Sequence, residues 1–102
     1  MIEHAVWKEP EEYAVWKYKL NFKKEQTVAI PEASRVLSIK TIDEDPYAFV
    51  LVDMKNYSDK TSEISIFMYD TNYTFKDKCF YFDTIQDYRG IIKHVFVKVK
   101  NV

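Results

Sequence analysis

The sequence predicts a mainly β domain: a small antiparallel β-sandwich or half-open barrel of about seven strands. Two observations carry this. The apolar runs are short and mostly alternate with polar residues at period two, and no stretch sustains a helical period. Aromatic residues make up 17% of the chain, beside many β-branched ones, a composition that suits strands.

The elements follow in order. Trp16 to Phe22 alternates, with Trp16, Tyr18, Leu20 and Phe22 on one face and Lys17, Lys19 and Asn21 on the other. Lys23-Lys24-Glu25 reads as a polar turn. Gln26 to Ile30 reads as a second strand with Val28 and Ile30 inward, so the pair suggests a hairpin. Pro31 has no N–H for a ladder and ends that strand. Arg35 to Ile42 is a third strand, with Leu37, Ile39 and Thr41 inward. Asp43-Glu44-Asp45-Pro46 reads as a solvated turn stiffened by proline.

Tyr47 to Asp53 is the most apolar segment and does not alternate, so it is expected at the centre of a sheet, covered on both faces. Lys55 to Ser62 is polar and reads as a loop. Glu63 to Asp70 alternates again, with Ile64, Ile66 and Met68 opposite Phe67 and Tyr69. Thr71 to Lys78 reads as an extended loop pinned by Tyr73 and Phe75. Cys79 to Ile85 and Ile91 to Val99 complete the strands, joined by a turn at Gln86–Gly90, where Gly90 can take a positive φ.

The chain has 102 residues, enough for one domain with its own core, assigned to residues 13–102. Residues 1–12 form an N-terminal arm ending in Glu9-Pro10-Glu11-Glu12. Within it Ala5-Val6-Trp7-Lys8 recurs as Ala14-Val15-Trp16-Lys17, too short a match to define a repeat unit. The arm could add to a sheet edge or bridge to a second copy of the chain.

Charge and composition exclude several classes. Net charge is −1, from 15 basic and 16 acidic residues, so direct binding to nucleic acid is not expected of the surface as a whole. A balanced total leaves room for a local patch of either sign. The lone Cys79 can form no internal disulfide and reads as a small buried hydrophobe. No apolar run approaches the roughly 18 residues of a membrane span, and Met1-Ile2-Glu3-His4 lacks the basic start of a signal peptide, so a cytoplasmic location is expected.

No catalytic residue, metal site or cofactor is expected, and the chain does not read as an enzyme. His4 and His94 have no second histidine or cysteine at metal-ligand spacing. A chain with one glycine has no phosphate cradle. His94 beside Asp83 or Asp87 is the one general-base arrangement the residues offer, and a lone strand histidine is more often packed or hydrogen-bonded.

The recognition candidates are aromatic and acidic. Tyr69, Tyr73, Phe75 and Tyr88 fall in the loop-rich second half, and Asp43, Glu44 and Asp45 form an acidic turn suited to a basic partner surface. The alternative is a site that stacks a nucleotide signal in a deep aromatic pocket, with Lys93 or Arg89 as the basic group. A third class is a structural or assembly protein that oligomerises through the arm.

Five short motifs, in order, resemble a family of small uncharacterised tailed-phage proteins. They are Trp16-Lys17-Tyr18-Lys19-Leu20, Gln26-Thr27-Val28-Ala29-Ile30-Pro31, Leu37-Ser38-Ile39, Leu51-Val52-Asp53 and His94-Val95-Phe96. Where that family has a Gly-Thr-Gly-His-like loop, this chain has Tyr69-Asp70-Thr71-Asn72-Tyr73, without glycine. The resemblance implies expression from a phage in the host cytoplasm. The resemblance itself implies no activity; small phage-encoded domains without catalytic residues often act by binding a host protein, so the expectation is an accessory protein that binds and inhibits a bacterial protein, such as a component of anti-phage defence.

Overall fold

The computed structural model describes residues 12–76 and 78–99. Seven strands run β1 (Tyr13–Lys19), β2 (Glu25–Pro31), β3 (Ser34–Ile42), β4 (Asp45–Asp53), β5 (Thr61–Asp70), β6 (Phe80–Gln86) and β7 (Ile92–Val99). They form a three-stranded sheet, β1-β4-β3, and a four-stranded sheet, β2-β5-β7-β6, with every pairing antiparallel. The predicted β-sandwich is the fold. The arm lies outside the described residues except for Glu12, whose carbonyl accepts the Met54 N–H at 2.9 Å.

The core lies between the sheets and follows from strand alternation. Ala48, Val50 and Val52 of β4 and Ile39 of β3 are fully buried on one side; Ile66 of β5 and Val95 of β7 face them from the other. Trp16, Tyr18 and Val28 pack half-buried around this cluster.

The predicted hairpin between the first two strands does not form. β1 pairs with β4 and β2 with β5, in different sheets. The link between them is held by both layers: Leu20 N–H donates to the Pro46 carbonyl and the Lys24 carbonyl accepts from Met68, each at 2.9 Å. Leu20 is itself buried. The Gln26 side chain closes the corner, accepting from Asn21 N–H and donating to the Asn21 carbonyl. A continuous alternation through Phe22 thus conceals a change of sheet.

Three further details depart from expectation. β4 is the centre of its sheet, yet only one of its faces is sealed; Tyr47, Phe49 and Leu51 on the other face are half-buried. Leu37 points outward and is 41% exposed, because a bulge between Val36 and Ser38 resets the alternation of β3. The acidic turn is shorter than expected, since Asp45 and Pro46 already belong to β4. Asp43 supplies its left-handed residue at φ 59°, a region that aspartate tolerates better than most side chains.

A second bulge, between Tyr81 and Asp83, lies on β6. Both bulged strands are sheet edges, where such kinks discourage pairing with another chain. Replacing Ile66, which has no exposed surface, with alanine should cost roughly 2–5 kcal/mol in urea unfolding. Val15→Thr, at a position 56% exposed, should move stability by about 0.5 kcal/mol or less.

Candidate binding surface at the loop end

The pairing registers bring one end of each strand together. The C-terminal ends of β1, β3, β5 and β6 lie beside the N-terminal ends of β2, β4 and β7. The 20–24 link, the Asp43-Glu44 turn, the start of the 71–79 connection and the 87–91 turn therefore share one end of the sandwich. The Thr41 hydroxyl donates to the Gln86 carbonyl across the two sheets, and Phe22 packs on Tyr88 at 6.5 Å between ring centroids.

The 71–79 connection joins β5 to β6, which flank β7 and run parallel to each other. It must therefore cross the sheet, and it crosses over the outer face as a strap. Asn72 takes φ 75° where the strap begins. Tyr69 is the strap's seat. It is 3% exposed, with Tyr73 stacked on it at 5.0 Å and Phe75 at 4.2 Å. Phe96 completes the cluster, 5.9 Å from Tyr69 and 5.1 Å from Phe75. Lys24 ties the strap to the first link, donating to the Tyr73 hydroxyl at 2.9 Å.

The structure thus joins three of the predicted site residues into one unit with unequal roles. Tyr69 is buried support, while Tyr73 and Phe75 are 43% and 36% exposed above it. Tyr88 stands apart on the 87–91 turn, 61% exposed. Asp43 and Glu44 are exposed on their turn, and Asp45 pairs with Lys19 at 3.5 Å. Cys79 is half-buried just before β6.

The sequence offered Asp87 as a turn residue and as a carboxylate for His94; in the structure it organises the turn that carries Tyr88. Its Oδ1 accepts from the N–H groups of Arg89 and Ile91 at 2.8 and 3.0 Å. Its Oδ2 accepts from Arg89 Nη2 at 2.8 Å. Burial alone pushes the Asp87 carboxyl upward, but the hydrogen bonds from the Arg89 side chain and from the two backbone amides outweigh it and hold the pKa below the usual value. Gly90, at φ 85°, lets the chain return into β7.

Among the described residues His94 joins no carboxylate. Its Nε2 meets Thr71 Oγ1 at 2.9 Å and its Nδ1 meets Thr84 Oγ1 at 3.3 Å; Thr84 Oγ1 in turn lies 2.8 Å from Tyr81 Oη. Asp83 instead pairs with Lys40, and Asp87 with Arg89. This hydroxyl chain fastens the strap to the sheet. No group of three or more potential metal ligands occurs among the described residues.

The hollows are small. One of about 100 Å³ lies beside Tyr73 and Lys93, but the Lys93 ammonium is bound to Asp70. A cavity of about 290 Å³ opens between the sheets at the opposite end, lined by Ile30, Val36, Ile64, Phe82 and Val97, with Arg35 and Glu32 at its rim. The first is lined by Phe22, Tyr69 and Tyr73 but is too small for a nucleotide, and the second has Phe82 as its one aromatic, so neither combines the volume and aromatic lining that a nucleotide pocket calls for.

Two outcomes follow. Tyr69→Ala should destabilise the domain by roughly 3–5 kcal/mol and speed hydrogen exchange across residues 71–76, since the strap loses its seat. For Asp87 the lowered folded pKa means stabilisation that is present above the unfolded value of about 3.9 and lost as pH falls through the folded value. Asp87→Asn should therefore lower the melting temperature at pH 6 to 7, and the gap to the parent should close below about pH 4.

The chain resembles no curated protein and no solved structure closely enough to match. A family model does match, over residues 12–102, a span that takes in all seven strands of the sandwich. The chain belongs to the family described as Domain of unknown function (DUF7352).

Proposed function

We propose that this domain is a binding module that recognises another protein through the loop end and has no catalytic role. The observation that carries this is the placement of Tyr73, Phe75 and Tyr88, which are exposed but held on packed partners. Rigid aromatics raised on a supported base are the side chains that contribute most to protein interfaces. Asp43 and Glu44 on the same end add an acidic rim, which would steer a basic partner.

The likeness of the five motifs to tailed-phage proteins supports a narrower reading. The partner would be a bacterial host protein, such as a defence component, and binding would inhibit it in the host cytoplasm. The nucleotide reading has less support, because Lys93 is committed to Asp70 and Arg89 to Asp87.

The experiment is affinity capture from bacterial host lysate at low and at moderate salt, followed by titration of the identified partner. Tyr73→Ala and Tyr88→Ala should each weaken binding about 10-fold or more while leaving the fold intact. Recovery of no bacterial protein at any salt would count against the proposal, as would a partner indifferent to both substitutions. A nucleotide panel should leave the melting temperature unmoved.

A further inference from the structure

The outer face of the three-stranded sheet runs back from the loop end and carries its own pattern. Register sets it out in rows. Val15, Leu51 and Arg35 share one row; Lys17, Phe49 and Ser38 the next; Lys19, Tyr47 and Lys40 the third. An apolar, partly aromatic column on β4 is thus bordered by two lysines from β1 and by an arginine and a lysine from β3. All four cations are exposed, and the column is half-buried.

This face differs from its counterpart in cover and in charge. The strap lies over the outer face of the four-stranded sheet, whereas no described element covers this one. The opposite face sets Glu25 and Glu63 against Lys98. Here the acids stand at the margins. Asp45 holds Lys19 at 3.5 Å in an exposed pair of a kind that exchanges readily, and the half-buried Asp83 holds the exposed Lys40 at 3.3 Å. Lys17 rests over the Tyr47 ring at 4.7 Å, and Arg35 has no ion-pair partner among the described residues. A shallow hollow of about 220 Å³, lined by Tyr13, Arg35, Leu51 and Asp53, continues the column at its far end.

We propose that this face binds single-stranded nucleic acid, with bases stacking on Tyr47 and Phe49 and phosphates meeting Lys17, Lys19, Arg35 and Lys40. An unpaired strand offers flat π-faces beside a charged backbone, and an aromatic column with cations on both flanks complements both. Side chains at i and i+2 of a strand lie about 7 Å apart, so each ring has room for its own base. An acidic protein surface would satisfy the cations too, but two rings at successive outward positions of one strand, flanked by cations, match the repeat of base and phosphate more closely. The net charge of −1 hides this segregation, and with only four cations the binding is modest and salt-dependent. The surface adjoins the loop end at the Lys19-Tyr47-Lys40 row but uses none of Tyr73, Phe75 and Tyr88.

The test is fluorescence anisotropy of the full chain with labelled oligothymidylate and oligouridylate of about a dozen nucleotides. Binding should weaken about 7- to 50-fold for a fourfold rise in salt, the range for two to four phosphate contacts. Phe49→Ala should weaken it about 5- to 150-fold. Lys17→Glu and Arg35→Glu, at exposed positions that the fold does not need, should abolish it, and Lys98→Glu on the opposite face should leave it unchanged. No binding at low salt overturns the proposal. So does binding that survives Phe49→Ala, binding to duplex of equal strength, or full displacement by polyglutamate, which would mark the face as a site for acidic protein.

Discussion

Everything else in this domain depends on the burial of two inward side-chain rows against each other. Ala48, Val50 and Val52 on β4 meet Ile66 on β5 and Val95 on β7, and these five are essentially without exposed surface. Burial of this kind supplies the main favourable term in folding, at about 25 cal/mol per Å² of apolar area. It also dictates the path of the chain. Neither sheet can stand with its apolar row in water, so the chain moves from one sheet to the other after β1, β2 and β4. Each crossing leaves a link at an end of the sandwich, and links at an end are where loops gather.

That route explains why the aromatics are divided as they are. Trp16 and Tyr18 join the inner rows, while Tyr69 and Phe96 sit on the outer face of the larger sheet. An outer face this aromatic needs cover, and the β5–β6 connection has to pass over it in any case. Tyr73 and Phe75 supply the cover by stacking. The exposed parts of those two rings are therefore held in place by a requirement of topology. The 87–91 turn is built on a different principle, with the buried Asp87 gathering amide and guanidinium donors beneath an exposed Tyr88.

The two outer faces have separate characters. One is aromatic and roofed, with charges of both signs; the other has an apolar column between cations that no described element covers. A whole-chain charge of −1 averages over both. The same averaging hides the loop end, where Asp43 and Glu44 stand unpaired by any described lysine or arginine while Asp45 is matched by Lys19. Such local fields, not the total, govern encounters with charged partners.

Much of this was legible in the sequence by itself. Period-two alternation and the wealth of aromatic and β-branched residues determined an all-β domain, and the positions of all seven strands followed to within a few residues. So did the central place of β4 and the pinning of the 71–78 loop by Tyr73 and Phe75. Which strand pairs with which was not legible, because alternation reports a face and not a neighbour. The run from Trp16 through Phe22 to Ile30 reads as a hairpin, and only the competing bonds of Leu20 to Pro46 and Lys24 to Met68 send its two halves to different sheets. The bulge that turns Leu37 outward, the burial of Tyr69 beneath its neighbours and the gathering of Lys17, Lys19, Arg35 and Lys40 on one face arise from contacts between residues far apart in the chain. Local sequence carries no record of such contacts, so the tertiary structure alone decided them.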